Sequence, residues 1–337
     1  MRSTFPVLRF LLPALALALL LLAATRPQAA EATMGEIMNA VVAVHAEIRT
    51  NARTMDTLGP SRTGSGVVIG ADGLILTIGY LVMEAENLYV LTRQGVSTEA
   101  DFIAYDHDSG FGLLGARQPL GVKPMELGDG DALKQGAKLL VVSAGLGVPV
   151  TPVEVASRRT FAGYWEYLLE NAIFTTPPHQ AHGGAALIAP TGKLVGIGSL
   201  LVNDAPGPQI RGIGNMFVPV DVLKPVLAEL VKSGRSGRKV WPWLGLYSQE
   251  YDGQLIIAKL AEGGPAEQAG LKRGDVILGV AGRKATNLID FYRMIHARGG
   301  AGAEVPLDIL THGSADIEVR RVAIKSADRH RWLRLGN

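Results

Sequence analysis

Apolar positions along the chain fall in short runs separated by Gly-, Pro- or Asp-containing turns, the spacing of antiparallel strands. Val41–Val44 reads as a first strand after a helical turn at Met34–Met38, and the polar stretch Asn51–Arg62, with Gly59-Pro60, reads as a loop. In Thr63–Thr77 two apolar runs flank Ala71-Asp72-Gly73, where Asp-Gly supplies the positive φ angles of a tight hairpin. Further short strands are predicted at Leu88–Leu91, Asp101–Tyr105, Gly112–Leu114, Leu139–Ser143, Val153–Ala156, Ala172–Thr175 and Met216–Pro219. Leu187-Ile188 and Lys193–Ile197 are two more, joined by a Pro-Thr-Gly turn. The period then changes. Asp221–Lys232 predicts a helix capped by Asp221, with Val222, Val226, Leu227, Leu230 and Val231 as its apolar stripe. Ser233–Lys239 is Gly-rich and basic, a mobile linker by composition. A second unit follows, with strands at Leu255–Ile257, Val305–Leu310 and Asp316–Ile324, a helix over Leu288–Ala297, and a basic, disordered tail at Lys325–Asn337.

Length and composition narrow the classes. A chain of 337 residues has room for about two domains. The first 30 residues hold Arg2, Arg9 and Arg26 and no acid, so a chain without them carries 30 basic against 31 acidic residues. No basic stripe marks a nucleic-acid surface. Arg2 and Arg9 precede an apolar run from Phe10 to Ala24, followed by small residues at Ala29, Ala30 and Ala32, the layout of a secretory signal cut after Ala30 or Ala32. Export to the periplasm is the expectation; an uncleaved segment would instead anchor the protein in the inner membrane. Cysteine is absent, which excludes disulfides and thiolate metal sites, so an exported protein must be stabilised by its cores. No cofactor or metal is expected.

The stretch richest in chemical information is Pro178–Ser199, PHQAHGGAALIAPTGKLVGIGS, a polar approach to a small-residue turn and then a two-stranded hairpin. In trypsin-like enzymes that turn reads G-[ND]-S-G-G-[PA]-L, and its glycines let two backbone N–H groups aim at a developing oxyanion. Here it reads Ala181-His182-Gly183-Gly184-Ala185-Ala186-Leu187, with glycine at the nucleophile and Ala181 and His182 at the oxyanion turn.

Taken with TGSGVVIGADGLILT, the Asp106–Leu114 segment DHDSGFGLL, and GLKRGDVILGV in the second unit, the chain resembles the HtrA/Deg family of exported serine proteases. The resemblance implies a mostly β protein: a trypsin-like double six-stranded β-barrel over residues 35–232, a linker at 233–240, and an α+β PDZ domain over 241–324. It also implies trimers, with itself or with active relatives. The family's triad positions fall on Tyr80, Gly110 and Gly183, where a histidine base, an orienting aspartate and a serine would stand. Tyrosine is protonated at neutral pH and glycine offers no group, so a pseudoprotease is expected. The alternative is an active serine endopeptidase with rearranged residues. His107, His179 and His182 lie near the altered positions and would suit a base or a metal, but their loop placement gives no shared face, and solvated loop histidines are the simpler account. Tyr80 reads as a space-filler in the old cleft.

In a PDZ domain a loop at the start of the binding strand offers N–H groups to a peptide's C-terminal carboxylate, and the peptide adds to the sheet as a strand. The resemblance puts that loop at Trp243-Leu244-Gly245-Leu246, with Trp243 departing from the small residue usual at its first position, and puts Phe291, Met294 and Ile295 on the groove helix. Two of those three are expected to be core. Expected partners are peptides, protein C-termini or unfolded chains, with roles in protein quality control or its regulation.

Overall fold

Two closed barrels and a third, open sheet follow one another along the chain, which a computed structural model describes over residues 32–144, 147–311 and 319–335. The signal segment at 1–30 and the start of the strand expected at Asp316 lie outside these residues. The first barrel contains Val41–Ile48 (β1), Ser61–Val68 (β2), Leu74–Ile78 (β3), Ala85–Leu91 (β4), Ser97–Tyr105 (β5) and Phe111–Ala116 (β6), in the order β1-β2-β3-β6-β5-β4. The second contains Lys138–Val142 (β7), Val150–Gly163 (β8), Tyr167–Thr176 (β9), Ala186–Ile188 (β10), Leu194–Val202 (β11) and Gly214–Pro219 (β12), in the order β10-β11-β12-β9-β8-β7. Closure leaves these strands without free edges, and the inward residues of each are fully buried; Leu139, Val141, Val153, Ile173, Leu187 and Phe217 form one core.

The third sheet runs β13-β14-β15-β17-β18, from Leu246–Tyr251 (β13), Gln254–Leu260 (β14), Val276–Val280 (β15), Glu304–Leu310 (β17) and Val319–Lys325 (β18), with Arg283–Lys284 (β16) paired to β15. Helices Met34–Ala40 (α1), Met55–Leu58 (α2) and Leu227–Ser233 (α3) belong to the barrels, and Pro265–Gln268 (α4) and Leu288–Ala297 (α5) to the sheet. Asn287 caps α5, accepting the Asp290 N–H at 2.8 Å.

Three regions differ from expectation. Asp221 does not cap a long helix. It accepts the Gly130 N–H at 2.8 Å from a short 3-10 turn, Val220–Val222, and α3 begins only after Pro225, which disfavours helical φ/ψ at Lys224. Val231, placed on the apolar stripe, is exposed while Leu223 is buried. The basic tail is ordered as far as it is described, to Leu335: Arg329–Leu333 forms a helix (α6) capped by Asp328, with His330, Leu333 and Leu335 buried. The linker is tied down, too, by an Arg235–Asp328 ion pair at 2.8 Å.

Candidate functional site

Tyr80 and Gly183 come together in a cleft facing both barrels. Tyr80 follows β3 in a 3-10 turn, Gly79–Leu81. Gly79 admits this turn because any side chain there would lie 2.1 Å from the Tyr105 ring. Beneath it Arg62 is buried, donating to the carbonyls of Tyr80 at 2.8 Å and Met83 at 3.1 Å; burial holds its guanidinium down at about 10. The Tyr80 hydroxyl donates to the Ser199 carbonyl at 2.9 Å, and it lies 2.9 Å from where a Cβ on Gly183 would stand. Burial raises the pKa of that hydroxyl further above the ordinary phenol value, so it stays protonated. It is a donor and no base.

Around it the turn at 181–186 is tightly seated. The Gly183 carbonyl accepts the Ser65 N–H at 2.9 Å, and Gly184, at φ +74, would drive a side chain to within 1.9 Å of the Ser65 carbonyl. His182 is half-buried, with Nδ1 3.0 Å from the Gln180 carbonyl, and burial lowers its pKa. Gly110 adjoins the same cleft: its carbonyl accepts the Gly79 N–H at 2.7 Å, and its φ is +78. The neighbouring Asp106 carboxylate is committed to Ser109, whose hydroxyl donates to it at 2.6 Å. A cavity of about 220 Å³ remains, walled by Tyr80, Tyr105, Tyr164, Trp165, Tyr167 and Tyr247, with Arg329 beside them.

The histidines are not solvated loop side chains. His179 is buried, its Nε2 2.9 Å from the Ser143 hydroxyl and its Nδ1 2.8 Å from the Thr151 hydroxyl, because the approach to the turn folds inward under Asn215. His107 packs edge-on against Tyr105 (4.5 Å) and His330 (5.6 Å), with neither ring nitrogen hydrogen-bonded, and burial holds it well below the ordinary histidine range. Among the described residues, no three His, Asp or Glu side chains converge on a site that could hold a metal.

A second constellation lies where the third sheet meets the tip of the β8–β9 hairpin. Leu244 N–H donates to Glu166 Oε2 at 2.9 Å and Leu246 N–H donates to Glu166 Oε1 at 2.6 Å, on either side of Gly245, whose φ of +82 turns the loop. Burial pushes the Glu166 carboxyl up to about 7, while these backbone donors and the charge of Arg329 pull the other way. The Ser248 N–H on β13 donates to the Tyr164 carbonyl at 2.8 Å. On α5 the Tyr292 hydroxyl donates to the Gly163 carbonyl at 2.8 Å and accepts the Glu166 N–H at 3.3 Å. Phe291, Met294 and Ile295 all belong to the buried core of this domain, one more than expected. The Trp243 ring packs 4.5 Å from that of Trp332 on α6.

Residues 64–197 match the trypsin-like peptidase domain and residues 256–310 match the PDZ domain. Among curated relatives, a probable periplasmic serine endoprotease DegP-like of Ectopseudomonas mendocina is 28% identical over 269 residues, covering 74% of this chain and 54% of its own length. A probable periplasmic serine protease do/HhoA-like of Haemophilus influenzae is 26% identical over 281 residues, covering 78% and 59%. In both domains and in their order the chain is similar to the HtrA/DegP-like proteases. It spans little more than half the length of these curated relatives. The fold extends the likeness: the structure of the HtrA-type protease AlgW with tripeptide superposes with a TM-score of 0.51 at 21% identity, covering 88% of this chain and 97% of that one. The serine endoprotease from Yersinia pestis superposes at 0.50 and 23% identity, covering 88% and 98%.

Within that HtrA/DegP frame, two functional candidates were not legible in the chain. Glu166 lies 78 residues from Leu244, and Tyr292 lies 129 residues from Gly163. The one local hint is the composition of Tyr164-Trp165-Glu166-Tyr167, an acid among aromatics.

Proposed function

We propose that the chain is an exported HtrA/DegP-like pseudoprotease that binds peptides, unfolded chains or partner proteins through its PDZ domain and vacated cleft. The observation that carries this reading is the Tyr80 hydroxyl, 2.9 Å from the Cβ position of Gly183 and bonded to Ser199. On the family's pattern that space belongs to the serine and its base. Filled by a protonated phenol, it supplies neither nucleophile nor proton acceptor. The aromatic walls of the adjoining cavity suit an apolar or aromatic side chain of a bound chain. Periplasmic location is supported by the naming of the curated relatives; among the described residues, no helix is long and apolar enough to cross a membrane. Assembly as a trimer, with itself or with active relatives, is part of the same reading.

The test is paired. Purified protein is expected to leave casein intact, while a short fluorescein-labelled peptide with an apolar free C-terminus binds and its amidated twin does not. Casein cleavage, or equal binding of both peptides, would sink the proposal. A second reading, an active endopeptidase with rearranged residues, is favoured by one observation, the Ser143–His179 pair at 2.9 Å. Both residues are buried, and the second ring nitrogen meets the hydroxyl of Thr151 where a carboxylate would be needed. Casein cleavage lost in Ser143→Ala would establish it.

A further inference from the structure

The loop Trp243–Leu246 and the outer edge of β13 are where a PDZ domain takes a peptide, and both are engaged by the chain itself. β13 ends the sheet, so its outer edge is open to an added strand. The Tyr164 carbonyl already accepts from Ser248 on that edge, as an added strand would. The Glu166 carboxylate spans the N–H groups of Leu244 and Leu246, one oxygen to each, which is how a terminal carboxylate would sit. The turn is also clamped from the helix side by the Tyr292 hydroxyl. Glu166 holds φ +56, a left-handed conformation that a glutamate leaves unless its surroundings impose it. A residue strained in this way at a ligand-type contact is the mark of a clamp.

We infer that the hairpin tip Gly163–Glu166 is an internal ligand of the PDZ groove, Glu166 standing in for a C-terminal carboxylate that an incoming peptide must displace. This rests on the proposed peptide-binding role and describes how that site is regulated. The groove cannot hold both carboxylates, since one pair of N–H donors serves one anion.

The experiment measures binding of the free-carboxylate peptide by fluorescence anisotropy in the full chain and in Glu166→Ala, Glu166→Gln and Tyr292→Phe, with circular dichroism confirming folding. Loss of two charge-assisted bonds from the competitor should tighten peptide binding about tenfold or more in Glu166→Ala. Tyr292→Phe, which keeps the ring in the core and removes the hydroxyl clamp, should tighten it by a smaller factor. Equal affinities in the parent, Glu166→Ala and Tyr292→Phe would overturn the internal ligand and leave peptide binding standing. Absence of binding in every variant would overturn peptide binding, and the clamp as its regulator with it. Should Glu166→Ala not fold, Glu166→Gln and Tyr292→Phe decide on the same terms.

Discussion

A Gly183→Ser variant is expected to leave casein uncut and to melt a few degrees below the parent. The new Cβ would stand 2.9 Å from the Tyr80 hydroxyl, so the ring must shift and its bond to Ser199 must lengthen or break. Such overpacking costs about 1–3 kcal/mol, and in domains of 150–250 residues each kcal/mol lowers the melting temperature by roughly 2–4 °C. The added hydroxyl gains no nucleophilicity, because its neighbour is a phenol whose pKa burial has raised. Adding Tyr80→His removes the crowding and supplies a base. Gly110→Asp is the harder step: at φ +78 any L side chain is strained by about 1–2 kcal/mol. Its Cβ would lie 3.4 Å from the Tyr167 hydroxyl, which already donates to the Ser109 carbonyl. On the proposed reading the triple variant therefore recovers little, since a histidine without an oriented carboxylate loses about 10⁴ in kcat in serine proteases. Casein hydrolysis by Gly183→Ser alone would mean that a working base is already in place.

How far the chain could be read depended on the range of each interaction. The barrel strands were legible because alternation and turn chemistry act within a few residues: Asp72-Gly73 turns its hairpin with Gly73 at φ +84, and α5 falls on Leu288–Ala297 as its pattern predicts. Tyr80 and Gly183 were singled out through family spacing, but that the phenol reaches across to Ser199, 119 residues away, is a tertiary fact with no local signal. His179 fails for the same reason. Its polar neighbours suggest solvent, and its burial depends on Asn215, Ser143 and Thr151, each from another strand or its flank. Pro225 was a local signal that the apolar stripe at 221–232 outweighed, wrongly. The tail was read from its charges, although Trp332, Leu333 and Leu335 lie among them.

Removing Asp328–Asn337 is expected to lower the melting temperature by more than about 10 °C and, with the Arg235–Asp328 ion pair gone, to expose the 233–240 segment to proteases. Leu333 and Leu335 are buried against Met83 and Tyr105 of the first barrel, close to Tyr80. Each loses about 1.5–3 kcal/mol of burial on deletion. Trp332 packs against Trp243 with the rings tilted at 46° and their centroids 4.5 Å apart, and lies under the Arg53 guanidinium at 4.2 Å, contacts each worth on the order of 1 kcal/mol. Together that comes to about 5–8 kcal/mol, an upper range because the unfolded chain is itself partly compact, against a total stability of roughly 5–15 kcal/mol. Geometry adds a consequence that the energies alone do not. α6 touches the first barrel through Leu333 and the PDZ domain through Trp332, while Arg329 donates to the Trp165 carbonyl in the hairpin tip at 3.1 Å. Its loss should therefore split one thermal transition into two, as barrel and PDZ domain melt apart, and should weaken the seating of Glu166. Leu333→Ala, which leaves Arg329 and Trp332 in place, is expected to cost about 2–5 kcal/mol while keeping a single transition. A truncated protein melting within about 2 °C of the parent, in one transition, would show that the helix rests on the surface without joining the two domains.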